Sequence, residues 1–111
     1  MHEGVIPILR VKSAARTVAW YGRLGFVEEW EHRFGPGLPA FVSIARGDVR
    51  LFLSEHKGDA SPDTLVYLRV ADVDALAAEF GVTVQEVPWA RGEIYVKDPD
   101  GNRLRVATPK D

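Results

Sequence analysis

Aromatic side chains are the groups in this sequence best suited to recognising a ligand. Trp30 and Phe34 lie in or beside the second predicted strand, whereas Tyr67 and Trp89 lie in the second half of the chain. A flat ring provides stacking area and has few rotatable bonds to immobilise on binding. Aromatic residues also favour subunit interfaces, so Trp89 could equally fill a dimer contact. The two roles are compatible where a binding cleft lies between subunits.

The usual catalytic groups are poorly represented. The chain has no cysteine, which excludes a thiolate zinc site and a cysteine nucleophile. Ser54 has no partner in the sequence that would activate it as a nucleophile. His2 is terminal, and His32 and His56 lie in polar segments, so we expect these histidines at the solvated surface. Acid–base and nucleophilic catalysis are therefore not indicated.

Length and charge exclude further classes. The 111 residues fit one domain, and the formal net charge of −2 provides no general basic field for nucleic acid. No apolar stretch is long enough for a signal-peptide core or a membrane span, so we expect a cytoplasmic protein that interacts with neither membrane nor nucleic acid.

The chain contains an internal repeat that sets the order of its elements. The tripeptide at residues 9–11 recurs at residues 68–70, each time after a β-prone run and before a predicted helix. These β-prone runs cover residues 5–9 and 64–68, and the helices begin after Ser13 and Asp72 and extend to about Gly22 and Phe80. A strand follows each helix after a glycine, Gly25 or Gly81, and each half then ends in two more strands, at 41–46 and 49–54 and at 93–97 and 103–107. The polar segment 55–63 is a loop. The sequence therefore predicts two βαβββ modules, at about 4–54 and 64–108.

Alternation along the strands distinguishes two faces of the predicted sheet. One phase, meaning every second residue along a strand, is aliphatic, as expected where helices cover a sheet. The other phase combines apolar and aromatic residues with five arginines, Arg10, Arg50, Arg69, Arg103 and Arg105. This mixture favours a face that receives a ligand. A two-sided sheet whose arginines extend into water is the alternative.

Two motifs resemble the vicinal oxygen chelate superfamily, which includes glyoxalases, dioxygenases and bleomycin resistance proteins. They are the segment 20–26, WYGRLGF, and the turn 98–102, DPDGN. Segments 6–9, 47–54, 62–67 and 88–93 are most similar to bleomycin resistance proteins. The resemblance implies an α+β fold with one domain over residues 1–111, in which the two modules form a curved mixed β-sheet with helices on its outer face.

The resemblance also implies where a divalent metal would bind in the enzymes of this superfamily. In those enzymes four strand positions provide the metal ligands. Alignment by the motifs and by the repeat places these positions at Ile6, Phe52, Leu65 and Arg105. None of these side chains ligates a metal. We therefore expect a protein without metal or cofactor that binds a ligand and performs no reaction. The alternative is a lyase, isomerase or dioxygenase of the superfamily with a displaced metal site.

The likeness to bleomycin resistance proteins implies a function and a site. Such proteins sequester a drug in homodimers, and Pro7 resembles the hinge at which relatives exchange their first strand. The ligand is expected to be a bleomycin-like drug or another aromatic compound. Unpaired arginines on the cleft face would favour an anionic ligand instead of the cationic drug. The residues expected to bind the ligand are Trp30, Phe34, Phe52, Ser54, Tyr67, Trp89 and Arg105.

Overall fold

The chain folds as the predicted pair of βαβββ units, which a computed structural model describes over residues 3–111. His2 lies outside the described residues. The first unit contains β1 (Ile8–Arg10), α1 (Ala14–Gly22), β2 (Val27–Arg33), β3 (Ala40–Arg46) and β4 (Val49–Ser54). The second contains β5 (Leu65–Arg69), α2 (Val73–Phe80), β6 (Gln85–Val87), β7 (Ala90–Lys97) and β8 (Arg103–Thr108).

Each unit forms its own four-stranded mixed sheet. The strand orders are β1-β4-β3-β2 and β5-β8-β7-β6, so the two units have the same topology. In each sheet the first and last strands of the unit pair in parallel, and the other neighbours are antiparallel. The expected curved sheet is thus built from two separately hydrogen-bonded halves.

Both helices begin and end where their capping residues predict. The Ser13 side chain accepts the Arg16 N–H at 3.4 Å, and the Asp72 side chain accepts the Ala75 N–H at 3.2 Å. These bonds satisfy backbone donors that the first helical turn leaves without partners. Gly81 ends α2 with φ of 65°, a left-handed conformation that glycine adopts without strain.

The aliphatic phase of the strands forms the core, as predicted. Its members are buried against the two helices, together with Tyr21 and Leu24. The predicted start of the first strand at Val5 is wrong, because Val5 is 92% exposed and the strand begins only at Ile8. Pro7, which has no N–H, contributes only its carbonyl oxygen, which accepts the Phe52 N–H at 2.9 Å.

The turn 98–102 joins the two units through buried polar contacts. The Asp98 carboxylate accepts the Tyr21 hydroxyl at 2.9 Å, the Asn102 N–H at 3.0 Å and the Asn102 side-chain amide at 3.0 Å. The same amide donates to the carbonyl oxygen of Arg10. Burial raises the pKa of Tyr21 above its ordinary value, and the neighbouring Asp98 raises it further. Tyr21 therefore stays a hydroxyl donor to Asp98 across the neutral range.

Neither helix of the described residues combines the length and apolar composition needed to cross a bilayer.

We predict that Asp98→Ala lowers the free energy of unfolding by about 2–4 kcal/mol, because it leaves several buried donors without an acceptor. Urea denaturation measures the loss. Asp111→Ala, at the exposed C-terminus, is the control and should change stability by less than about 0.5 kcal/mol. Equal free energies of unfolding for Asp98→Ala and Asp111→Ala would show that the contacts of Asp98 do not stabilise the junction of the two units.

Candidate functional site

The sheet faces opposite the helices, which we call the open face, carry most of the predicted ligand-binding residues. Trp30, Tyr67 and Trp89 are large aromatic residues with 43–57% exposure, and Phe34 reaches 76%. Leu65 and Tyr95 on the same face are about half exposed. Exposed apolar groups concentrated on one side of a molecule are characteristic of binding surfaces.

On the first sheet, three rings pack together as a cluster. The Trp30 and Phe41 rings stack with centroids 6.0 Å apart, and the Phe52 ring lies 5.4 Å from Trp30 and 5.1 Å from Phe41. A register shift between Glu28 and Trp30 interrupts the pairing of β2 with β3 just before the cluster. Such a bulge changes the direction in which the following side chain projects.

A cavity of about 620 Å³ adjoins this cluster. Two of its lining residues are His32, which is exposed as predicted, and His56, which is half-buried; their place beside an aromatic cavity was not predicted. The sequence position of His32 could have indicated this, since Trp30 and His32 are two residues apart on β2 and so share a face. The lining residues are Trp30, His32, Phe34, Phe41, His56 and Asp59.

Ser54 was expected to contact a ligand, but the structure buries it completely. Its hydroxyl donates to the Asp59 carboxylate at 2.6 Å and accepts the His56 N–H at 3.1 Å. Ser54 therefore positions the loop that carries His56 and Asp59 to the cavity, and it has no surface of its own to offer a ligand.

On the second sheet, the fully buried carboxylate of Glu93 organises the open face. It accepts the Tyr67 hydroxyl at 3.1 Å, the Trp89 indole N–H at 2.9 Å and the Arg105 Nε at 2.7 Å. The guanidinium of Arg105 lies 5.7 Å from the Tyr67 ring, 5.4 Å from Trp89 and 5.6 Å from Tyr95, within the range of cation–π attraction. One acidic group thus holds two rings and a cation in fixed positions.

The charge state of Glu93 follows from its partners. Burial by itself raises the pKa of Glu93, but hydrogen bonds from Trp89 and Arg105 outweigh it, and the net pKa lies below the ordinary value. The hydrogen bond to Glu93 in turn raises the pKa of Arg105. The pair is therefore ionised at neutral pH and contributes no net charge to the face.

Several arginines of the open face are already engaged. Arg50 forms a two-pronged ion pair with Glu29, both hydrogen bonds being 3.0 Å long. Arg10 donates to the backbone carbonyls of Val11, Ser54 and Glu55. The condition for a strongly anion-selective cleft, that the arginines lack an acidic partner, therefore does not hold for Arg50 and Arg105.

The seven residues expected to bind a ligand fall into two groups. Trp30, Phe34, Phe52 and Ser54 belong to the first sheet or its connection, and Tyr67, Trp89 and Arg105 to the second. Trp30 contacts Phe52 in the first group, and Glu93 links the three members of the second, but the two sheets are hydrogen-bonded separately. One chain therefore presents two aromatic surfaces. Glu93 was not among the residues predicted for the site, although its alternation with Tyr95 and Lys97 along β7 places it on this face.

The four positions implied for a metal do not fit one. Ile6 and Leu65 are exposed apolar residues, Phe52 lies within the ring cluster, and Arg105 places a cation beside Glu93. None offers a lone pair suited to a divalent ion. Within residues 3–111, no three His, Asp or Glu side chains converge as a metal-binding group.

Comparison with known proteins agrees with this architecture. A sequence profile described as "Glyoxalase superfamily protein" matches residues 1–111. No protein of curated function matches the chain in sequence.

Solved structures share the fold at low identity. A glyoxylase/bleomycin resistance protein/dioxygenase domain from Frankia sp. EAN1pec has a TM-score of 0.78 at 18% identity and covers 99% of this chain and 100% of that chain. A bleomycin-binding protein complexed with bleomycin has a TM-score of 0.70 at 22% identity and covers 98% and 100%. The trypanothione-dependent glyoxalase I of Leishmania major has a TM-score of 0.69 at 18% identity and covers 97% and 87%. These similarities confirm the predicted fold.

We predict that Glu93→Gln lowers the free energy of unfolding by about 1–2 kcal/mol at neutral pH, since it removes the charged acceptor of three hydrogen bonds. The depressed pKa means that wild-type Glu93 stabilises the fold at pH values above about 4.3, the ordinary glutamate pKa. This contribution is lost as the pH falls through the lower pKa of the folded state.

Urea denaturation from neutral to acidic pH measures both effects. The difference between wild type and Glu93→Gln should narrow on acidification, whereas Glu86→Gln, at an exposed position, should match wild type throughout. A difference that stays constant down to the lowest pH at which the protein folds would contradict the assigned charge state.

Proposed function

The chain belongs to the glyoxalase superfamily, and from this premise we propose that it binds and sequesters a small aromatic molecule, in the manner of a resistance protein, without a metal ion. One observation carries the proposal. The Trp89 side chain is exposed yet held by a hydrogen bond to the buried carboxylate of Glu93. A ring fixed before binding loses little conformational freedom when a ligand stacks on it.

The second aromatic surface supports the same function. The cluster of Trp30, Phe41 and Phe52 borders the cavity of about 620 Å³, within the range of about 300–1,000 Å³ typical of small-molecule sites. Among the structural relatives, one is a bleomycin-binding protein complexed with bleomycin. That relative supports an antibiotic-like ligand as the first candidate.

The side chains at the expected metal positions argue against the alternative, a metal-dependent lyase, isomerase or dioxygenase. The relatives include a glyoxalase I, but the described residues of this chain provide no ligand set at those positions. Binding without reaction uses the groups that are present, namely rings, one buried ion pair and two histidines at a cavity.

We also propose a homodimer in which the open faces of two copies meet. The chain is elongated, with extents of 46 × 34 × 21 Å, and both of its aromatic surfaces face outward. A second copy would cover them and could bring Trp30 of one chain towards Trp89 of the other. Exchange of the first strand about Pro7 is one way for two such chains to associate.

Trp89→Ala should weaken binding of the preferred ligand by about 1–3 kcal/mol, because the exposed ring on which the ligand stacks is lost. Isothermal titration calorimetry with bleomycin, 2-naphthol and 2-naphthoate identifies the preferred ligand and measures the loss. Trp20→Phe is the matched control, since Trp20 packs against Tyr21 and Phe80 on the helical side. Equal affinities for wild type and Trp89→Ala would remove Trp89 from the site.

A metal-retention experiment tests the second part of the proposal, that the protein binds its ligand without a metal ion. Purified protein equilibrated with zinc, nickel and manganese salts, then passed through a desalting column, should carry no stoichiometric ion by elemental analysis. Retention of one ion per chain, lost on adding a chelator, would favour the enzyme alternative.

A further inference from the structure

Two cations lie opposite each other on the open face of the second sheet without an ion-pair partner. Lys97 on β7 is in register with Arg103 on β8. Among the residues that the structure describes, the salt bridges include neither of them. Arg103 donates only to a backbone carbonyl, that of Asp63, at 3.2 Å. Like charges directly opposite on neighbouring strands lower stability, so this arrangement is unfavourable for folding alone.

Apolar groups border this pair on two sides. Leu65 on β5 is in register with Arg103, and Tyr95 precedes Lys97 by two positions and shares its face. Leu65 is 50% exposed and Tyr95 is 52% exposed. A cavity of about 320 Å³ lies among these four side chains and Arg105. Its size is at the lower end of the range for small-molecule sites, about 300–1,000 Å³.

The excess positive charge at this cavity comes from Lys97 and Arg103. The charge of Arg105 is balanced by Glu93, with an Nε–Oε1 distance of 2.7 Å. In contrast, the cavity on the first sheet has a carboxylate, Asp59, among its lining residues. An anionic group is therefore better placed on the second sheet than on the first.

We propose that the second sheet binds an aromatic carboxylate. Its ring contacts Leu65 and Tyr95, and its carboxylate lies between Lys97 and Arg103, whose guanidinium provides paired N–H donors for such a group. This assignment rests on the proposed binding function and specifies the chemical class of its ligand.

A pair of probes with the same ring system isolates the charge. At neutral pH 2-naphthoate is an anion and 2-naphthol is neutral. We expect wild-type protein to bind 2-naphthoate about tenfold more tightly than 2-naphthol in calorimetry, a ratio typical of one charge-assisted contact. Raising the salt from about 0.05 M to about 0.5 M should reduce this preference, because exposed charges are screened.

The double variant Lys97→Gln/Arg103→Gln should lose most of the preference while keeping its affinity for 2-naphthol. The control Lys12→Gln/Lys110→Gln makes the same change in net charge away from this face and should keep the preference. Both variants alter exposed side chains, and urea denaturation verifies that they fold.

Three results would overturn the assignment. Equal binding of the two probes to wild type, or an unchanged preference in the Lys97→Gln/Arg103→Gln variant, would reject the anion site. If 2-naphthol still binds and Trp89→Ala weakens it, the binding function survives without the anion preference. Binding of neither probe nor bleomycin would reject both proposals.

Discussion

The open face of the second sheet depends on one buried carboxylate. Moving the Glu93 charge out of water is costly unless strong partners compensate it, and three donors do so from Tyr67, Trp89 and Arg105. These side chains are consequently held in fixed positions although they lie at the surface. The hydrogen bonds that compensate the buried charge of Glu93 thus also create a rigid aromatic surface. Because its rings are already ordered, they lose little conformational entropy when a planar ligand binds.

The two modules use equivalent positions for different chemistry. Phe52 lies opposite Ser43 in the first sheet, and Arg105 lies opposite Tyr95 at the corresponding place in the second. Where the first module packs Phe41, Phe52 and Trp30 into an apolar cluster, the second places an ion pair surrounded by rings. One backbone topology therefore presents an apolar surface and a polar aromatic surface on the same chain.

Much of this fold could be predicted from local signals. Ser13, Asp72 and Gly81 mark helix ends through single hydrogen bonds or a left-handed φ, and alternation identifies the buried side of β1, β4, β5 and β8. The first strand was placed too early because the β-prone run at 5–7 has no strand partner beyond the Pro7 carbonyl. Whether a β-prone segment pairs depends on a neighbouring strand being within reach, and the local sequence does not contain this information.

The candidate site was less accessible to sequence reasoning. Alternation placed Tyr67 and Arg105 on the correct face, and the family resemblance indicated Trp30, but a face does not specify which side chains meet across strands. The ion pairs of Arg50 and Arg105, and the burial of Ser54 beneath Asp59, follow from interstrand register and loop geometry. Charge counting therefore overestimated the free positive charge of the face.

The central claim is that rings held by Glu93 receive a small ligand without a metal ion. Nuclear magnetic resonance of the tryptophan indole N–H groups, recorded during addition of 2-naphthol with a chelator present, tests it most directly. We predict a saturable shift of the Trp89 resonance, whereas that of Trp20, on the helical side, should stay in place. Three unmoved tryptophan resonances, or a shift that appears only when a divalent metal replaces the chelator, would contradict it.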